Sequence, residues 1–122
     1  MKKILIVDDS EMVRNFYSYI LKVFSFESDT AENGLVAYEK ILKNEFSIII
    51  TDINMPKMNG YELIEEIRNL GIKTPIIVVS TQDEQKEISK GMKAGADIFL
   101  IKPTEPDKFI LIVKEILRKE SV

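Results

Sequence analysis

The sequence predicts a three-layer α/β sandwich, a parallel five-stranded sheet with helices on both faces. Three observations carry this. Runs at residues 4–7, 76–79 and 98–101 are apolar throughout, and 46–52 starts as an apolar, β-branched run, as in strands buried on both faces. Between them lie segments whose apolar residues recur at helical spacing. Strand and helix signals alternate five times, which implies right-handed crossovers within one sheet.

In chain order, residues 4–7 read as a central strand. Ser10 or Asp9 can cap the helix that follows. Val13, Phe16, Tyr17, Ile20 and Phe24 give that helix its apolar stripe. Residues 25–30 alternate with polar side chains and suit an edge strand. Asn33-Gly34 is a turn signal. Ala37, Tyr38, Ile41 and Leu42 mark a second helix ending near Asn44. The strand at residues 46–52 runs into a loop punctuated by Pro56 and Gly60. Tyr61, Leu63, Ile64 and Ile67 make a third helix, stopped by Gly71. Pro75 opens the fourth strand, and Ser80-Thr81 closes it. Residues 83–94 form a weak helix, with Ile88 and Met92 as its apolar contacts and Gly91 in its interior. Gly95 stops it. After the fifth strand and Lys102-Pro103, the last helix turns Phe109, Ile112, Val113, Ile116 and Leu117 to the core. Leu111 projects from its opposite side.

Composition narrows the function. A chain of 122 residues with 45% hydrophobic content is expected to be one domain, residues 1–122, with no output domain of its own. No apolar run is long enough to span a membrane. The N-terminal apolar segment is cut short by Asp8 and Asp9, unlike a signal peptide, so a cytoplasmic protein is expected. There is no cysteine, which removes disulfides and thiolate chemistry. There is no histidine, hence no imidazole base. A formal net charge of −3 argues against direct binding to nucleic acid.

With the strands parallel, their carboxyl ends gather on one rim, where open α/β sheets bind ligands. That rim would hold Asp8 and Asp9, Asp52, Ser80-Thr81 and Lys102. Close carboxylates repel unless a cation joins them. An all-oxygen donor set favours magnesium. A carboxylate, a divalent metal, an ammonium and a hydroxyl together suit phosphoryl transfer, in which charge on the transferring group is met from several sides. Asp52 would be the nucleophile, giving an aspartyl phosphate. Lys102 would neutralise one phosphoryl oxygen, and Ser80 could donate to another. Taken singly, each piece also reads as a cap, a turn or a loop residue. Their coincidence on four of five strand ends is what points to chemistry.

Asp8-Asp9, Asp52 with Asn54-Met55-Pro56 and Gly60, Ser80, Phe99 and Lys102-Pro103 resemble the response-regulator receiver domains of the CheY-like kind, over essentially the whole chain. The resemblance implies a flavodoxin-like fold with strand order 2-1-3-4-5. It implies phosphorylation of Asp52 by a partner histidine kinase or phosphotransfer protein. It implies magnesium at Asp9, Asp52 and the backbone carbonyl of Asn54, with Asp8 acting largely through water. It also implies a coupled shift of Ser80 and Phe99 and a cis peptide at Lys102-Pro103. Three residues depart from the family pattern: Thr81 replaces a smaller alanine, Phe99 a tyrosine, and Ser25 a glycine at the end of the first helix.

A phosphorylation switch is therefore expected, signalling through its fourth helix, fifth strand and fifth helix to a downstream protein or to a second copy as a homodimer. It is not expected to be an enzyme beyond accepting and losing its own phosphoryl group. The alternative is a pseudo-receiver, a binding module that never takes phosphate; it predicts a missing acceptor or lysine, and both are present. A haloacid-dehalogenase-like phosphatase would want an aspartate where Asn54 stands. A flavin carrier would want a phosphate-binding loop where Asp8-Asp9 stands.

Overall fold

The computed structural model describes residues 2–120. Five strands, β1 (Lys3–Val7), β2 (Ser28–Ala31), β3 (Phe46–Thr51), β4 (Ile76–Ser80) and β5 (Ile98–Ile101), alternate with five helices, α1 (Glu11–Val23), α2 (Gly34–Lys43), α3 (Gly60–Asn69), α4 (Gln85–Ala94) and α5 (Pro106–Glu120). The sheet is parallel throughout, in the order β2-β1-β3-β4-β5. Val7 pairs with both Ala31 and Thr51, and Thr51 with Val78. The strand ends thus share one rim.

The pleat divides the core in two. Leu5, Val7, Ile49 and Val78 face α2, α3 and α4, where they meet Ala37, Ile41, Leu63, Ile64 and Ile67. Ile4, Ile6, Ile48, Ile50 and Ile77 face α1 and α5, where they meet Tyr17, Ile20, Leu21, Phe109 and Val113. Continuous apolar runs follow from this arrangement, because both faces of β1, β3 and β4 are covered.

Several local expectations are corrected. The edge strand begins at Ser28, because Ser25 closes α1 instead. Ser25 lies at φ +67°, its N–H donates to the Lys22 carbonyl, and the Phe26 N–H donates to that of Leu21. This left-handed cap normally takes glycine. Asn33-Gly34 is a helix start and no turn: the Asn33 side chain caps α2 by accepting from the Val36 N–H at 2.9 Å. The α1 stripe is displaced, with Leu21 buried and Phe16 and Phe24 partly exposed. Leu42 is exposed on α2. On α4 the buried residue is Gly91, while Met92 is exposed. Ile110 of α5 is buried with Phe109 and Val113, whereas Ile112, Ile116 and Leu117 are only half-buried. β5 is the second sheet edge and is half-buried, with Ile101 exposed. No helix among the described residues is long and apolar enough to cross a membrane.

Candidate functional site

Asp8 leaves β1 into the interior of the rim and is buried. Burial of a carboxylate requires partners, and both oxygens have one. Oδ1 accepts the Ser10 N–H at 2.9 Å, and Oδ2 takes Lys102 Nζ at 2.8 Å. Ser10 in turn caps α1, accepting from the Val13 N–H. Arg14, one turn into α1, donates to the Asp8 carbonyl at 2.9 Å. The start of α1 is thereby fixed to the end of β1. Asp9 is exposed beside it.

Asp52 follows β3 directly and is half-buried. Its N–H donates to the Val7 carbonyl, extending the β1–β3 ladder by one bond. Its Oδ1 accepts the Ile53 N–H at 2.7 Å, and its Oδ2 lies 3.4 Å from Lys102 Nζ. The loop beyond folds back tightly. The Gly60 N–H donates to the Ile53 carbonyl at 2.8 Å, and a Cβ on Gly60 would lie 2.2 Å from the Asp52 carbonyl oxygen. Only glycine permits that approach. Asn59 and Glu62 form a capping box that starts α3 at this point. Asn54 is exposed on the same loop.

Lys102 reaches in from the end of β5. Its backbone N–H donates to the Ser80 carbonyl at 2.8 Å, tying the ends of β4 and β5 together. The Lys102-Pro103 peptide is cis. Ser80 is fully buried, its hydroxyl accepting the Gln82 N–H at 3.1 Å. Phe99 pairs with Val78 and lays its ring against Gly91, where an added Cβ would sit 3.1 Å from it.

Electrostatics follow from this packing. Burial pushes the Asp52 carboxyl above its ordinary value, aided by the Asp8 charge and opposed by the Ile53 N–H and Lys102. Burial pulls the Lys102 ammonium down, but its bond to Asp8 and the charges of Asp52 and Asp8 outweigh this, so the net shift is upward. Carboxylate oxygens of Asp8, Asp9 and Asp52 all lie within 4.8 Å of one another. Three carboxylates face one ammonium, so negative charge is in excess. The donors are all oxygen, which fits a hard divalent cation.

The structure thus brings Asp8, Asp9, Asp52 and Lys102 together, with Ser80 and Asn54 on the same rim. It adds residues that the sequence reading did not single out. Tyr17 bonds Thr104 at 2.6 Å across the mouth of the rim, beside an apolar cavity of about 420 Å³ that Thr81 and Lys102 also line. Tyr17 falls in the α1 stripe, so its spacing marked it only as core.

The response regulator receiver domain model matches residues 4–114. The chain belongs to that family. Receiver domains are signalling modules of two-component response regulators rather than conventional enzymes. This one is 35% identical over 117 residues to the transcriptional regulatory protein SrrA of Staphylococcus aureus, covering 96% of the chain and 48% of SrrA. The chain therefore spans about half the length of the curated relatives it matches. Among solved structures, a two-component response regulator from Clostridium difficile superposes with a TM-score of 0.95 at 29% identity, covering 100% of both chains. The chemotaxis protein CheY4 of Vibrio cholerae superposes with a TM-score of 0.88 at 34% identity, covering 95% of this receiver domain and 98% of CheY4.

Proposed function

We propose that this receiver domain is a phosphorylation switch whose acceptor is Asp52. The observation that carries the reading is Lys102 Nζ placed between Asp8 and Asp52, at 2.8 and 3.4 Å, at the rim where three carboxylates converge. In the proposed step a carboxylate oxygen of Asp52 attacks phosphorus. The P–N bond of a phosphohistidine on a partner kinase or phosphotransfer protein breaks, and the ring nitrogen keeps the electron pair. Lys102 then moves its charge toward a phosphoryl oxygen, and Ser80 turns its hydroxyl from the Gln82 N–H toward another.

Asp9, Asp52 and the Asn54 carbonyl would hold magnesium. Asp8, whose oxygens accept from the Ser10 N–H and from Lys102, would act largely through water, as the family resemblance implies. When bound, the metal supplies a positive charge against the phosphoryl oxygens and relieves repulsion among the carboxylates. The output surface is α4, β5 and α5. Exposed Met92, Ile101 and Leu111, one on each element, support that choice as contacts for a downstream protein or a second copy. A cytoplasmic location fits a histidine-kinase donor.

The test is incubation with acetyl phosphate, with and without magnesium, read by intact mass. Wild type gains one phosphoryl group in a magnesium-dependent manner, and Asp52→Asn gains none. An unchanged mass gain in Asp52→Asn, or no gain in wild type, overturns the assignment; the latter leaves a pseudo-receiver.

A further inference from the structure

On α4, Lys86, Lys90 and Lys93 are exposed and spaced i, i+4, i+7. They form one row about 10 Å long on the helix surface. With Tyr61, Glu65 and Ser89 they line an open groove of about 430 Å³ between α3 and α4. None of the three lysines is in an ion pair among the described residues. Lys90 instead lies over the Tyr61 ring, 4.5 Å from its centroid.

Tyr61 also explains why Lys90 lacks a carboxylate partner from its own helix. Glu87 stands three residues before Lys90, where a surface helix would place its counter-charge. Its Oε2 accepts from the Tyr61 hydroxyl at 2.6 Å, and that hydroxyl also reaches the Glu87 carbonyl at 3.1 Å. Burial and the Glu87 bond and charge both push the tyrosine upward, so it stays a donor. A chain of formal net charge −3 thus presents a basic row.

The opposite wall limits what the row can bind. Glu65, exposed on α3, lines the groove across from the lysines. A polyanion that presents charge in every direction is repelled there, as a nucleic-acid backbone would be. A helix can turn an acidic row toward α4 and basic residues toward α3, with the Tyr61 ring as apolar floor. We propose that the α3–α4 groove docks an acidic amphipathic helix of a partner protein, its carboxylates at i, i+4 and i+7 meeting Lys86, Lys90 and Lys93. This surface lies beside the α4-β5-α5 face and does not depend on Asp52 accepting phosphate.

The test uses the unphosphorylated 122-residue chain and a labelled peptide of about 14 residues, four helical turns. Glutamates are placed at i, i+4 and i+7, and lysines on the flank facing α3. Binding is read by fluorescence anisotropy. The peptide is expected to bind, more weakly as salt rises. Lys90→Gln should weaken it about 2–5-fold, and replacement of all three lysines by Gln about tenfold or more. Tyr61→Phe should weaken it about twofold by releasing Glu87 to pair with Lys90. Three results would each overturn the proposal. The triple variant could bind as wild type does. A shuffled peptide of equal composition, or inorganic polyphosphate, could bind as well as the ordered peptide. Tyr61→Phe could leave affinity unchanged. None of these bears on phosphoryl acceptance, which is measured separately by mass.

Discussion

Ser25 holds a left-handed conformation at φ +67° so that α1 can stop and the chain can enter β2. A side chain there costs on the order of 1 kcal/mol relative to glycine. Ser25→Gly should therefore raise stability by about 1 kcal/mol in urea unfolding, with an unchanged slope. Asp29 poses a different question. Burial pushes its carboxyl up, but the Lys40 bond at 3.0 Å, the Thr30 N–H and the charges of Lys40 and Lys3 pull it lower still, for a net depression. Its stabilising contribution is fully present above the unfolded value of about 3.9 and fades as pH falls through the folded value. The pair is about a third exposed, so its worth is about 0.2–1 kcal/mol. Asp29→Asn should lose that much at pH 7 and progressively less below about pH 4. Equal losses at pH 7 and at strongly acid pH would contradict the sign.

α4 shows how an element departs from its propensity. An interior glycine weakens a helix, and that weakness alone would make Gly91 a flaw. Its location gives another reason: the Phe99 ring packs where a Cβ would stand, 3.1 Å away, with Tyr61 at 3.7 Å. α4 approaches β5 closely because this position has no side chain. Gly91→Leu should therefore destabilise the fold by about 1–3 kcal/mol through overpacking, despite leucine's better helix propensity. A melting temperature at or above wild type would show that Phe99 can yield. The N-terminus of α4 is also weakly held, since Glu84 makes no side-chain cap bond there.

Across the domain, the rim and α4 are connected by two short routes. One runs from Ser80 along β4 to Val78 and its partner Phe99, and so to Gly91. The other runs from the Asp52 carbonyl to Gly60 and then through Tyr61 to the α4 backbone at Glu87. Both end on the helix with the fewest buried apolar residues, where local opening costs least. Magnesium with beryllofluoride, a phosphoryl mimic, should change amide exchange most over residues 80–94 and at Phe99. Changes confined to α1 and α2 would move the output face elsewhere.

Much of this was legible in the residues. Continuous apolar strands, alternating with helical stripes, specify a parallel sheet because helical crossovers cover both faces of its strands. Parallel strands then force Asp8, Asp52, Ser80 and Lys102 onto one rim, so the members of the site follow from topology. Other features depend on neighbours far away in the chain. That Gly91, not Met92, faces inward depends on where Phe99 arrives. That Ser25 closes a helix depends on backbone angles that serine rarely shows. That Asp8 is tied to an ammonium while Asp9 is exposed depends on the reach of Lys102 from β5. That Lys90 stands without the carboxylate three residues before it depends on Tyr61 drawing Glu87 away. Periodicity records which face a residue is on; distances between elements settle what it meets there.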